Sequence, residues 1–325
     1  MTRLGVMFRP EWPPEELPDF ARAAERDGFD ELWLVEDCFL VGGLTMAATV
    51  LAVTERIGVG IGLLPAAMRN PAIAAMEIAG LARVFPDRLT VTFGHGVEAW
   101  MRQIGARPPN RLVALEEVVT AVRALLRGET LNVDGAFVHL DDVRLAHVPS
   151  SVPPIVIGTT GPRALEMAGR VADGFLLPEG SGPDSVRWAR GIAGEDGEAL
   201  VYAWLSVDDD RDAAAEALRP GLESWRQACL YPTLFAAAGV EDGVLDLSLD
   251  EVRAMAVAGS PDDCAAAMRA RWDAGAGSVI VVPRHEDHGA QVARFVADVM
   301  PRTAAVDVQA AGTRRTIRPD SHRLT

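Results

Sequence analysis

Arg88-Leu-Thr-Val-Thr-Phe-Gly-His-Gly-Val-Glu-Ala-Trp-Met-Arg-Gln-Ile-Gly105 is the stretch on which the fold turns, because it passes from a strand through a polar turn into a helix. Leu89, Val91 and Phe93 alternate with Thr90 and Thr92, the period of two of an extended chain, and Gly94-His95-Gly96 ends it at once. In parallel sheets whose strands feed helices, chemistry gathers at the carboxyl edges of the strands. His95 is therefore the first candidate functional residue, its imidazole able to change charge near neutral pH. A histidine that only ties down its own turn would read the same way.

Working outward, the alternation recurs on both sides. Residues 4–8 read as a first strand, and Pro13-Pro14 opens a helix that Gly28 closes. Residues 31–38 read as a second strand, apolar through Trp33, Leu34 and Val35, with Glu36 and Asp37 at its carboxyl end. Adjacent strand residues point to opposite faces, so at most one of these acids looks into a barrel mouth; Asp37 is the one favoured here. Residues 57–64 form a third strand with Gly58, Gly60 and Gly62 on one face, leaving room for a planar ring or for tight strand–helix packing. Asn70-Pro71 starts the next helix as N-cap and first helical residue.

Downstream of the quoted stretch, Leu115, Val118, Val119, Val122, Leu125 and Leu126 share a helix face and read as core. Asp134-Gly135 between two short alternating runs signals a β-hairpin inserted before the fifth strand, residues 153–158. At that strand's end, Gly158-Thr-Thr-Gly-Pro162 offers the best anion site of the chain. Helix-start N–H groups and the positive end of the macrodipole face the loop, Thr159 and Thr160 add hydroxyls, and Gly158 and Gly161 let a phosphate come close. A plain capped helix start fits the same residues. The sixth strand, 173–177, ends at Glu179, another acid on a carboxyl edge. The seventh spans 199–206, a long interrupted helical region runs to about Ala258, Ser260 and Asp263 make a capping box, and 278–282 is the eighth strand.

Eight strands alternating with helices in 325 residues predict an α/β, TIM-type (β/α)8 barrel over residues 1–302, with a hairpin insertion before strand five and an extended helical region after strand seven. Residues 303–325, with Arg314, Arg315, Arg318 and Arg323 and no apolar periodicity, read as a mobile tail. Thirty-one basic against 46 acidic residues give 31 − 46 = −15, which argues against nucleic acid or an anionic membrane as partner. Cys38, Cys229 and Cys264 form no close pair, and His285 and His288 have no evident third ligand, so no metal is expected. Without a signal segment or a long apolar run, a cytoplasmic protein is expected.

Several ordered motifs carry a resemblance: Glu31-Leu-Trp-Leu-Val-Glu-Asp37; Gly60-Ile-Gly-Leu-Leu-Pro65 with Arg69-Asn70-Pro71; Phe93-Gly-His-Gly-Val97 with Trp100-Met-Arg-Gln-Ile-Gly105; and Ile157-Gly-Thr-Thr-Gly-Pro162 with Gly169-Arg-Val-Ala-Asp-Gly174. Together they resemble the luciferase-like monooxygenase superfamily, most of all the subgroup using the deazaflavin coenzyme F420. The resemblance implies hydride transfer between F420 and a small organic substrate at the barrel's carboxyl face. Its alternatives are an FMN-dependent monooxygenase that uses oxygen and a partner reductase, and a non-catalytic flavin-binding protein. It assigns Gly62, Leu63 and Leu64 to a bulge behind the ring, with a non-proline cis peptide at one of their bonds. Gly158, Thr159, Thr160 and Gly161 would hold the phosphate, and His95 with Gly96 would line the ring's polar edge. Asp37, Glu36 or Glu179 would be the acid, with Cys38 standing where many members have histidine. A homodimer is also implied.

Overall fold

In this computed structural model, residues 2–228, 231–241 and 246–304 are described. Cys229, Leu230 and the tail expected to be mobile, from residue 305 onward, lie outside them. Along the chain, β1 (Arg3–Met7), α1 (Leu17–Asp27), β2 (Glu31–Leu34), α2 (Gly43–Val53), β3 (Gly58–Pro65), α3 (Pro71–Val84) and β4 (Leu89–Gly94) alternate as the hydrophobic periods predict. There follow α4 (Glu98–Gln103), α5 (Arg111–Leu126), the antiparallel hairpin β5 (Leu131–Asp134) and β6 (His139–Val143), β7 (Ile155–Gly158), α6 (Pro162–Val171), β8 (Gly174–Leu177) and α7 (Pro183–Ala193). Then come β9 (Glu198–Val207), four short helices α8 (Arg211–Glu216), α9 (Arg219–Gln227), α10 (Pro232–Ala237) and α11 (Leu249–Met255), β10 (Val257–Gly259), α12 (Pro261–Asp273), β11 (Ser278–Pro283) and α13 (His288–Arg294).

Parallel pairing runs β1-β2-β3-β4-β7-β8-β9-β11 and back to β1, so eight strands close into a (β/α)8 barrel. The outward residues of each strand, Val91, Ile157 and Val201 among them, meet the helices in one continuous apolar layer. The helix ends follow local rules: Gly28 adopts φ 93° at the end of α1, and the Asn70 side chain accepts from Ala72 N–H at 2.9 Å at the start of α3. One strand was missed. Residues 257–259 were expected to be helical, yet β10 pairs with Leu205, Ser206 and Val207 of β9. β9 is the longest strand and outruns its barrel neighbours, and the exposed ladder there captures the short apolar Val257-Ala258 segment.

Inside the barrel, Met7, Trp33, Val156, Leu176, Leu200, Tyr202, Ile280 and Val282 pack as a second core. Beneath them Glu31 accepts from Trp33 Nε1 at 2.9 Å and Ser278 Oγ at 2.6 Å, and pairs with Arg3 at 2.5 Å. This interior corrects the reading of the β3 glycines. Gly60 faces inward, but the space it leaves is taken by the Trp33 indole: a Cβ there would lie 2.2 Å from Trp33 Cδ2. At Gly62 the Tyr202 hydroxyl stands 2.2 Å from the same imagined atom and donates to Gly62 O at 3.1 Å. Most of the bare glycine face therefore admits protein side chains, and a ring can meet β3 only above Gly62. There the register between β3 and β4 slips between Ile61 and Leu64, and the Gly62-Leu63 peptide is cis, as the resemblance implies.

Candidate active site

The carboxyl ends of the strands form one mouth, and inward residues near it are the extensions of inward residues lower down. Leu63 leaves the β3 bulge and crosses in front of two glycines. A Cβ on Gly94 would lie 2.5 Å from Leu63 Cδ2, and one on Gly158 2.7 Å from the same methyl. Half-buried Leu63 thus forms the floor that links the end of β3, across β4, to the end of β7. Leu64 points the other way: its methyl lies 3.3 Å from the position a Cβ on Gly43 of α2 would take, and the residue belongs to the outer core.

At the β7 end, Gly161 is the N-cap of α6 and carries no side-chain cap; its N–H instead donates to Thr159 Oγ1 at 3.1 Å. The first turn of α6 holds no acid, and Thr159 and Thr160 are half-buried. Thr233 of α10 donates to Thr160 O at 3.0 Å, so the helices after β9 reach over to the turn. An uncapped helix start with hydroxyls beside it and no competing carboxylate suits a phosphate group.

Two acids complete the mouth. Asp37 follows β2 on its inward side, and its pKa is pushed up to about 6, first by burial and then by the negative charge of Glu11, against the pull of Arg9. Glu179, after β8 and thus across the barrel, is pushed up to about 7, again mainly by burial, with its own backbone N–H and Arg9 working the other way and Asp37 and Glu11 adding to the rise. Tyr202 and Tyr231 are raised as well, Tyr231 to about 12, first by burial and then by these same carboxylates. Aromatic rings line one side: Trp204 against Trp225 with centroids 4.7 Å apart, and Trp225 edge-on to Tyr231 at 5.2 Å. The sequence marks the region of Trp225 and Tyr231 only as apolar enough for a substrate pocket or a partner surface, and it does not mark Glu11, Arg9 or Trp204, although Arg9 sits two residues beyond inward-facing Met7 and the parity of β1 points to it.

Like Leu64, the expected site residues Glu36, His95 and Gly96 lie elsewhere. Glu36 is buried and turned outward, accepting from Arg69 Nη1 at 2.5 Å, Arg69 Nη2 at 2.7 Å and Gly43 N–H at 2.9 Å; these three bonds join the β2 end to the 66–70 turn and the start of α2. It is a structural anchor. His95 is not brought together with the acids either. It follows Phe93 on the outward face of β4 and lines a narrow cleft with Ala66, Ala67, Pro108, Arg111, Ala114 and Leu115. Burial and then the Arg111 charge lower its pKa, against a backbone hydrogen bond at Arg111 that raises it, and its Nδ1 has no hydrogen-bond partner among the described residues. Gly96, at φ 67° against Pro65 and Met101, completes that turn.

A sequence model described as luciferase-like monooxygenase matches residues 1–278. The chain belongs to that family. A relative, the F420-dependent glucose-6-phosphate dehydrogenase of Tsukamurella paurometabola, is 28% identical over 319 residues, covering 90% of this chain and 95% of the relative. Among solved structures, an F420-dependent secondary alcohol dehydrogenase in complex with an F420-acetone adduct superposes with a TM-score of 0.77 at 22% identity, over 93% of this chain and 99% of that one. The FMN-bound oxygenating constituent of 3,6-diketocamphane monooxygenase, from the CAM plasmid of Pseudomonas putida, gives 0.73 at 18%, over 93% and 99%. The barrel fold is thus shared with an F420-dependent enzyme and an FMN-bound one. No described helix is long and apolar enough to cross a membrane.

Proposed function

We propose that the chain is an oxidoreductase that transfers a hydride between coenzyme F420 and a small organic substrate at the mouth of the barrel. The observation that carries the reading is the continuous floor at one end of the molecule, from the Gly62-Leu63 bulge across Gly94 to the uncapped helix start at Gly161. A flat ring with a phosphorylated arm needs that pairing of apolar platform and anion site. The full-length similarity to an F420-dependent relative supports it.

In this reading the bulge at Gly62 and Leu63 backs the ring, and Gly158, Thr159, Thr160 and Gly161 hold the phosphate. F420, when bound, supplies or accepts the hydride. Asp37 and Glu179 hold or take up the accompanying proton, since burial keeps their carboxyls partly protonated near neutral pH. Tyr202 keeps its proton and fixes the carbonyl of Gly62 beneath the ring. Trp204, Trp225 and Tyr231 wall off water from the substrate side. His95 steadies the turn after β4 and has no acid–base part.

The test is to equilibrate the purified chain with F420 and with FMN, measure which binds, and follow reoxidation of each reduced form with and without oxygen. F420 binding with oxygen-independent, substrate-dependent oxidation is the expected result. Tight FMN binding with oxygen uptake would favour a monooxygenase fed by a reductase, and binding of either without turnover a carrier. We also propose a homodimer built on α3, whose exposed Ile73, Met76 and Val84 lie on one stripe with Gly80. Light scattering giving a monomer mass would remove that part.

A further inference from the structure

Among the described residues Asp37 and Glu179 of the mouth form no ion pair, whereas Arg9 and Arg284 do. Arg9 follows the inward Met7 of β1, and Arg284 follows the inward Val282 of β11. Arg9 donates from Nε to Glu11 Oε2 at 3.3 Å and from Nη2 to Glu11 Oε1 at 3.2 Å. Arg284 donates from Nε to Asp287 Oδ1 at 2.5 Å and from Nη2 to Asp287 Oδ2 at 2.6 Å. Both are two-pronged ion pairs that occupy the fork a phosphate or carboxylate would use. The other charged groups acting near them add to the effect: Asp37 and Glu179 beside Arg9, Asp208 and Glu286 beside Arg284. The chain has no lysine at all, so no ammonium can take over the task.

We infer that the mouth takes a substrate without a phosphate or carboxylate group, and that Glu11 and Asp287 set this specificity by capping Arg9 and Arg284. The inference deepens the proposed function and rests on the same mouth. It separates this chain from a sugar-phosphate enzyme such as its relative from Tsukamurella paurometabola, since a phosphate entering here would have to displace a carboxylate from an arginine and then face two further acids. Neutral and cationic molecules meet no such obstacle, and the Trp204, Trp225 and Tyr231 rings favour an apolar or aromatic body.

The experiment uses three probes that share one benzyl group, benzyl alcohol, benzylamine and benzyl phosphate, titrated calorimetrically at pH 8 into the full chain with and without F420. F420 loading is read from its own fluorescence, so a chain that takes up no F420 fails the preceding reading, while the probe ranking decides this one. Benzyl phosphate is expected to bind at least about tenfold more weakly than the alcohol. Glu11→Gln, which releases Arg9, should tighten benzyl phosphate about tenfold and leave the alcohol unchanged, and Arg9→Gln in that background should cancel the gain. Wild-type protein binding the phosphate as well as the alcohol, or no phosphate gain in Glu11→Gln, would overturn the inference.

Discussion

Replacing Glu36 by glutamine distinguishes an anchor from a catalyst. The carboxylate is 4% exposed and accepts three hydrogen bonds, two from Arg69 and one from Gly43 N–H. Glutamine keeps one acceptor oxygen but turns an NH2 group toward a guanidinium. Breaking a buried ion pair from one side costs about 3–5 kcal/mol. Arg69 is 23% exposed and has Glu77 at 3.5 Å as a second partner, which argues for the lower end, about 3 kcal/mol. With an unfolding entropy of about 2.1 cal/mol/K per residue over roughly 300 residues, that lowers Tm by about 5 °C. Thermal unfolding followed by circular dichroism, together with an F420 titration, is the assay. The expected outcome is the lower Tm with F420 affinity within about twofold of wild type. An unchanged Tm with turnover abolished would refute the structural assignment and return Glu36 to the chemistry.

Other consequences follow from the same geometry. Gly60→Ala drives a methyl to within 2.5 Å of three Trp33 ring atoms that have nowhere to go, so it should cost about 3 kcal/mol, visible as a lower urea midpoint; an unaffected midpoint would mean the indole does not fill the barrel. Gly158→Ala meets only the movable Leu63 and Thr92 side chains, so the fold should persist while F420 affinity falls about tenfold as Leu63 is pushed up into the ring's place. Glu179→Gln tests the raised carboxyl. Below the ordinary value of 4.5 both folded and unfolded chains are protonated, and between there and about 7 only the unfolded chain ionises, so wild type loses stability relative to the variant as pH rises through that window and no further above it. Parallel stability curves for wild type and variant from pH 4 to 8 would show that Glu179 is not buried as described.

The barrel was readable because each strand's outward residues are apolar and each helix has its own apolar face, so two periods alternate along nearly the whole chain. β10 was not, because three residues show no period and its pairing depends on the length of a strand fifty residues earlier. The β3 glycines announced a bare face, but what fills it, Trp33 and Tyr202, comes from distant parts of the chain. Parity puts Asp37 and Glu36 on opposite faces, and the Glu36 carboxylate is bound to Arg69 and Gly43. The same rule, applied to the opening stretch, assigns His95 to the outward face: Thr92 and Gly94 look into the barrel, Val91 and Phe93 toward the helices, and His95 continues the second set. The partial burial that lifts Asp37 and Glu179 depends on how the ends of β1, β2, β8 and the 225–235 region meet, which no local pattern records.

A crystal structure of the chain grown with F420 tests the central claim most directly. The account predicts the deazaflavin ring lying on the Gly62-Leu63 bulge, its phosphate at the hydroxyls of Thr159 and Thr160 and the start of α6, and Asp37 and Glu179 on the open side of the ring. Cofactor bound outside the mouth, or a Leu63 side chain standing where the ring should be, would contradict it.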